Sequence, residues 1–246
     1  MKPKRINILG TPVDCVTMST ALDYVEDIIL KANKPSSILA INPEKIIKAK
    51  KEPLLLKSLK QAKLVIPDGV GVVWAARLLG LGKMKRVPGA ELMPAICERA
   101  AQKGYKLFLF GGKAEVNARA VAVLRKQYPG IQIVGHHHGY VSKQEMPNLI
   151  EKINTSEAEV LFIALGSPTQ ELWMEQYFPK LKNIKVCQGV GGTFDVIAGT
   201  IRRAPLIFRQ LSLEWLYRLI SQPRRFFRQV ALPKFVYKIF VCRLTQ

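Results

Sequence analysis

The chain has 246 residues, 48% of them hydrophobic, which suits a single α/β domain with a full core plus an appendage. Its formal net charge of +20 predicts anionic partners: nucleic acid, a membrane surface or a phosphorylated substrate. No apolar run approaches the roughly 18 residues of a membrane span, and the N-terminal segment lacks a signal-peptide core, so a cytoplasmic protein is expected.

Short β-rich runs alternate with helix-length segments as far as about residue 196. The predicted strands are 6–9, 37–41, 63–66, 106–110, 131–134, 160–165 and 185–188. The predicted helices are 43–60, 69–80, 90–103, 114–127, 142–153 and 169–180. This alternation indicates a Rossmann-like α/β fold, with a mostly parallel sheet and helices on both faces. Ligands of such sheets bind at the carboxyl ends of the strands, so the residues after each strand are the candidate site.

Polar residues follow two of the early strands. Asn42 follows the strand at 37–41, and Asp68 lies in Pro67-Asp68-Gly69 after the strand at 63–66. An aspartate in a cleft can accept a proton from a hydroxyl group, although Pro-Asp-Gly is also a common turn sequence. Arg86 precedes a predicted helix, where it is either a bidentate phosphate ligand or a surface charge. Asn42 suits a sugar hydroxyl or the start of a helix.

Glycines and an amide follow three later strands. Gly111 and Gly112 free the backbone to approach a phosphate at a helix N-terminus, or they form a tight turn, and Gly191 and Gly192 have the same two interpretations. Gln170 offers an amide to sugar hydroxyls or to a helix start.

The sequence indicates neither a metal centre nor a disulfide framework. The run His136 to His138 lacks ligand spacing, and we interpret it as a solvated turn after the strand at 131–134. No Asp-x-Asp follows a strand, so no metal or other cofactor is expected. The four cysteines contain no Cys-x-x-Cys pair and are expected to be reduced.

The last 46 residues have a different composition from the rest. Residues 201–246 hold ten basic residues, eight of them arginine, against one acid, together with eight of the 20 aromatic residues. Leu213, Leu216, Tyr217 and Ile220 have the spacing of one helix face. Basic amphipathic helices with aromatic residues lie on anionic bilayers, and the alternative is a helix pair docked on the core. We therefore divide the chain into a core at 1–196 and a membrane-binding helical appendage at 197–246.

The ordered set of motifs resembles the WecG/TagA/CpsF family of bacterial glycosyltransferases. The resemblance covers nearly the whole chain and rests on Asn42-Pro43-Glu44, Pro67-Asp68-Gly69, Arg86-Val87-Pro88-Gly89, Phe110-Gly111-Gly112, Gly166-Ser167-Pro168-Thr169-Gln170-Glu171, Gly191-Gly192-Thr193-Phe194-Asp195 and Glu214-Trp215-Leu216-Tyr217-Arg218. One departure is Ala40, where the family often has threonine two residues before the asparagine.

The resemblance implies an inverting, metal-independent transferase on the inner face of the plasma membrane. Its donor would be UDP-N-acetylmannosamine, with the corresponding uronic acid and UDP-glucose as alternatives. Its acceptor would be undecaprenyl-diphosphate-linked N-acetylglucosamine, for wall teichoic acid or a related polymer. Asp68 would be the base, and Asn42, Arg86 and Gln170 would line the pocket. Arg218, Arg225 and Arg228 would fold over the site and stabilise the diphosphate. A further hypothesis is that the core self-associates when it is off the membrane.

Two rival functions come from other classes. A nucleic-acid-binding protein fits the charge, but the charge is concentrated in an amphipathic tail and no nucleic-acid motif is present, so no nucleic-acid partner is expected. A nucleotide-sugar epimerase or dehydrogenase would need a nicotinamide fingerprint, which the sequence lacks.

Overall fold

A computed structural model describes residues 2–201, 204–205, 207–208, 217 and 231–245. The described strands are β1 (Arg5–Ile8), β2 (Thr11–Asp14), β3 (Ser36–Ile41), β4 (Leu64–Pro67), β5 (Lys106–Gly111), β6 (Gln132–His137), β7 (Val160–Ala164) and β8 (Val186–Gly189). The helices are α1 (Met18–Lys31), α2 (Pro43–Ala49), α3 (Pro53–Gln61), α4 (Val70–Leu78), α5 (Gly89–Lys103), α6 (Ala114–Gln127), α7 (Met146–Thr155), α8 (Thr169–Tyr177), α9 (Thr193–Ile197) and α10 (Ala231–Leu244).

Six strands form one parallel sheet in the order β4-β3-β8-β7-β5-β6. Alternate strand residues point to opposite faces and pack into two cores. One core lies under α2, α3, α4, α7, α8 and α10, and the other under α1, α5, α6 and α9. This is the predicted α/β fold, with helices on both faces of a parallel sheet.

The direction in which successive strands are added reverses near the middle of the sheet. The connection from β3 leads outward to β4, whereas β5, β7 and β8 step back until β8 pairs with β3. In sheets of this kind a crevice forms at the carboxyl ends where the connections diverge. The loops after β3, β4, β7 and β8 therefore border one crevice.

The β1-β2 hairpin lies beside β4 and is joined to it by the buried carboxylate of Asp14. β1 and β2 pair antiparallel to each other, apart from the main sheet. Asp14 accepts two hydrogen bonds from Arg5, at 2.8 and 2.7 Å, and one of 2.7 Å from the backbone N–H of Val65. The Asp14 carboxylate raises the pKa of Arg5 and thereby stabilises the charged pair.

Helix α10 packs against α2 although it lies in the predicted appendage. Phe235 and Ile239 are buried in the core beneath α2 and α4. Phe240 meets the ring of Trp74 on α4 edge to face, with centroids 5.8 Å apart. The end of the chain is thus partly integrated into the core, and the boundary at residue 196/197 stays a prediction.

Several sequence-based boundaries differ from the structure. The predicted helix at 43–60 is two helices, because Pro53 lacks a backbone N–H and begins a new helix at its first position. Strand β2 and helix α1 were not predicted. Helix α1 carries a detectable signal, since Thr17 and Thr20 form a capping box and the buried residues recur at helical spacing. The amphipathic helix predicted around Leu213 and Ile220 lies outside the described residues.

Candidate active site

The loops after β3 and β4 are joined to the segment around Arg86. The backbone N–H of Asp68 donates to the carbonyl of Ile41 at 2.9 Å, and that of Val87 donates to the carbonyl of Pro67 at 2.8 Å. The Nε of Arg86 donates to the carbonyl of Asp68 at 2.8 Å. Asp68 and Arg86 are therefore neighbours at the carboxyl edge, although 18 positions separate them in the chain.

The glycine-containing turn after β4 packs closely against the loop after β3 and brings Asn42 beside Asp68. A Cβ at Gly69 would lie 2.8 Å from Cδ of Pro43 and 3.1 Å from Cβ of Asn42, closer than side chains normally approach. Gly71 makes a similar approach, with its virtual Cβ 2.8 Å from Cγ of Pro43. The absence of these side chains lets the two strand ends meet.

Asn42 serves as a helix cap, one of the two roles expected for it. Its Oδ1 accepts a 2.8 Å hydrogen bond from the backbone N–H of Lys45 at the start of α2. The bond fixes the side chain at the edge of the crevice. Contact with a sugar remains a prediction for this residue.

Gln170 is buried and braces the end of β8. Its side chain, 3% exposed, accepts a 3.1 Å hydrogen bond from the N–H of Gly191 through Oε1. A Cβ at Gly189 would lie 2.5 Å from Nε2 of Gln170, so a side chain at this position would displace the Gln170 amide. Gln170 therefore supports the turn after β8 from within the protein, and a contact with substrate stays a prediction.

Gly111 and Gly112 allow the end of β5 to lie against β7. A Cβ at Gly111 would lie 2.5 Å from the carbonyl oxygen of Ala164, and the N–H of Gly112 donates to that oxygen at 3.0 Å. The amide of Gly112 is thus engaged within the sheet, as the amide of Gly191 is engaged by Gln170. Phosphate binding by Gly111, Gly112, Gly191 and Gly192 remains a prediction.

Two comparisons with known proteins identify the family. The chain matches the profile of the glycosyl transferase WecG/TagA/CpsF family over residues 6–246. It is also 35% identical, over 96% of its own length and 90% of the relative's, to the N-acetylglucosaminyldiphosphoundecaprenol N-acetyl-beta-D-mannosaminyltransferase of Bacillus spizizenii (strain ATCC 23059 / NRRL B-14472 / W23). The chain belongs to this family. It is a glycosyltransferase, as the sequence motifs predicted.

The transferase contains a buried ion pair that sequence reasoning missed. Glu171, next to Gln170, is fully buried and pairs with Nζ of Lys45 at 2.8 Å, although 126 positions separate them. Glutamate in the first turn of a helix is common, since it suits the helix dipole, so its position gave no sign of burial. Gln188 on β8 is also buried, and its Nε2 donates to the carbonyl of Gly89 at 3.3 Å.

The run His136 to His138 lies partly in a strand rather than in the predicted turn. His136 and His137 belong to β6, which continues past the predicted end at Val134 because it pairs with β5 through Phe110. Nδ1 of His136 forms a 2.8 Å hydrogen bond with Oδ1 of Asn117, and desolvation is the largest of the effects that lower the pKa of His136.

Over the described ranges of the transferase, no group of three or more His, Cys, Asp or Glu could hold a metal ion.

The three arginines expected to cover the site lie in the part of the transferase that is not described. Arg218, Arg225 and Arg228 are all outside the described residues. None of the described helices combines the length and hydrophobicity that a bilayer crossing requires.

Proposed function

We propose that this transferase moves N-acetylmannosamine from UDP-N-acetylmannosamine to undecaprenyl-diphosphate-linked N-acetylglucosamine. The product is ManNAc-β-1,4-GlcNAc-diphosphoundecaprenol, which begins a wall teichoic acid linkage unit or a related envelope polymer. The substrates are those named for the Bacillus relative, which aligns with 96% of this chain. The observation that carries the proposal is that Arg86 lies beside Asp68 at the carboxyl edge of the sheet, in a protein that belongs to this glycosyltransferase family.

Asp68 is the base in the proposed reaction. Its carboxylate accepts the proton of the acceptor hydroxyl as that oxygen attacks the anomeric carbon of the donor. The bond from that carbon to the UDP oxygen breaks, and UDP leaves with the electron pair. Attack opposite the leaving group inverts the anomeric configuration, so one base suffices and no covalent sugar-enzyme intermediate forms.

Cationic side chains stabilise the leaving diphosphate in this mechanism. Arg86 is held at the rim by its bond to the Asp68 carbonyl, and its guanidinium suits phosphate oxygens. Arg218, Arg225 and Arg228 supply the remaining positive charge when the C-terminal segment closes over the site. Their role is inferred from the sequence alone.

The exposed face of α10 supports a peripheral position on the inner membrane surface. Tyr237, Val241 and Leu244 are 69%, 40% and 85% exposed, and Lys238 and Arg243 lie among them. Apolar side chains beside basic ones bind anionic bilayers by combining burial with electrostatic attraction. This surface would bring the crevice to an acceptor that is itself anchored in lipid.

A donor panel tests the proposal. UDP release is measured with UDP-N-acetylmannosamine, its uronic acid and UDP-glucose, each with and without the lipid-diphosphate N-acetylglucosamine acceptor. We expect acceptor-dependent release from UDP-N-acetylmannosamine and a disaccharide of matching mass. Release from another donor alone would reassign the sugar, and no release from any donor would refute the proposal.

A further inference from the structure

One chain of hydrogen bonds links the ends of three strands. The N–H of Gly191, after β8, donates to Oε1 of Gln170 at 3.1 Å, and Nε2 of Gln170 donates to Oε1 of Glu171 at 3.3 Å. Nζ of Lys45 donates to the same Glu171 oxygen at 2.8 Å, and the backbone N–H of Lys45 donates to Oδ1 of Asn42 at 2.8 Å. These five residues, which we call the relay, connect the loops after β8, β7 and β3.

Glu171 determines which way the Gln170 amide faces. A carboxylate oxygen can only accept from Gln170, so the amide nitrogen must point to Glu171 and the amide oxygen to Gly191. The opposite orientation would place the nitrogen, which cannot accept a hydrogen bond, against the Gly191 N–H. Gly191 has a φ of +53°, so the turn that this bond holds is a left-handed one.

The Glu171–Lys45 pair is largely shielded from water. The side chains are 0% and 11% exposed, and within the described part of the chain Oε2 of Glu171 has no hydrogen-bond partner. An ion pair withdrawn from water is costly to form, and stability alone seldom explains why a protein keeps one. A role in fixing geometry accounts for the retention of a buried pair.

We propose that Glu171 and Lys45 are positioning residues, which hold Gln170, the Gly191 turn and Asn42 in the mutual geometry that sugar transfer requires. The inference rests on the proposed function. Neither residue is assigned contact with substrate. They act through Gln170 and Asn42, two residues that the sequence placed in the pocket.

Helix α8 carries a second ion pair, which serves as a matched control for Glu171–Lys45. One turn after Glu171, Glu175 pairs with Lys57, so both pairs join a glutamate of α8 to a lysine of a neighbouring helix. The second pair is open to water, with Lys57 54% and Glu175 26% exposed, and Glu175 also accepts from Ser58 rather than from a residue at a strand end. The two pairs differ in burial and in connection to the crevice.

Three variants separate positioning from stability. The double variant Lys45→Met/Glu171→Leu removes both charges and avoids leaving a buried lysine unpaired. Glu171→Gln removes the charge but keeps an oxygen that can accept from Gln170. Lys57→Met/Glu175→Leu is the control. Melting temperatures, kcat and the KM for the UDP-sugar are measured for all three.

The relay predicts a selective loss of turnover. Lys45→Met/Glu171→Leu should lose about 10- to 100-fold in kcat, with a smaller change in KM, since a small misplacement of site residues costs that much. Glu171→Gln should recover part of the loss, and the control should stay within about twofold of the wild type because exposed pairs contribute little. Equal kcat in the two double variants would overturn the inference, as would a loss that only follows the melting temperature.

Amide hydrogen exchange gives a readout that does not depend on activity. The relay predicts faster exchange of the Gly191 N–H in Lys45→Met/Glu171→Leu than in the wild type or the control. Unchanged exchange would contradict the relay even if turnover fell. If the wild-type enzyme transfers no sugar, the proposed function fails, while faster exchange would still establish the hydrogen-bond chain.

Discussion

The Nε of Arg86 lies 2.8 Å from the backbone carbonyl of Asp68 and donates a hydrogen bond to it. The bond ties a loop arginine to the loop that carries the proposed base, and the adjacent bond from Val87 to Pro67 reinforces the same contact. In the proposed mechanism Arg86 therefore has two roles: it fixes the Asp68 loop, and it brings positive charge to the crevice.

Replacement of Arg86 should separate those two roles. Arg86→Lys keeps the positive charge but lacks a planar guanidinium to hold the carbonyl. We expect kcat to fall about 10-fold in Arg86→Lys and about 100-fold in Arg86→Ala. Thermal unfolding should show a loss of only about 1 kcal/mol in each, the usual contribution of one hydrogen bond. Wild-type kcat in Arg86→Ala would remove Arg86 from the site.

Gly69→Ala tests whether the contact between the two loops matters. The added Cβ would lie 2.8 Å from Cδ of Pro43 and 3.1 Å from Cβ of Asn42, so the loops after β3 and β4 must move apart. Overpacking of this kind costs about 1–3 kcal/mol in the free energy of unfolding. We expect kcat to fall about 10-fold or more, because Asn42 and Asp68 lose their relative position. A variant that is less stable but fully active would show that their spacing is unimportant.

Polar substitutions on the exposed face of α10 should weaken membrane binding and leave the fold intact. The triple variant Tyr237→Ser/Val241→Ser/Leu244→Ser should lose about 10-fold or more in binding to phosphatidylglycerol vesicles, because each large apolar side chain contributes about 1.5–3 kcal/mol when buried. Leu30→Ser/Leu54→Ser is the control, since Leu30 and Leu54 are 68% and 57% exposed on other helices. Equal vesicle binding by both variants would exclude this face as the membrane contact.

Phe235→Ala tests the buried side of the same helix. Phe235 is 1% exposed and packs near Gly71 of α4, whose virtual Cβ lies 3.8 Å from Cε1 of the ring. The truncation should lower the free energy of unfolding by about 3–5 kcal/mol, as measured in urea. A loss below about 1 kcal/mol would mean that α10 is not part of the core. Because α10 carries core residues, deletion of residues 201–246 would disturb folding as well as membrane binding.

The fold was predictable from the sequence where periodicity determines structure. All six strands of the parallel sheet were located to within a few residues, because buried parallel strands are continuous apolar runs between helices. Asp68 and Asn42 were then placed at one edge by a general property of such sheets. Strand β2 was missed because two of its four residues, Pro12 and Asp14, belong to types that are depleted in strands.

Partners across the fold could not be predicted. The pattern around Glu171 indicates a helix start but gives no sign of Lys45, which is 126 positions away. The Gly111-Gly112 pair was equally ambiguous, and only the structure reveals that the Gly112 amide donates to Ala164. Local sequence indicates which face of an element is buried, whereas long-range pairing depends on how the elements pack.

Asp68→Asn provides the most direct test of the account. Transfer from UDP-N-acetylmannosamine to the lipid-linked acceptor is measured for the wild type and for Asp68→Asn, with their melting temperatures compared. The account predicts a β-linked disaccharide from the wild type and a loss of about 100- to 10,000-fold in kcat for the variant, the usual contribution of a general base, with little change in melting temperature. A near-wild-type rate in Asp68→Asn would contradict the account.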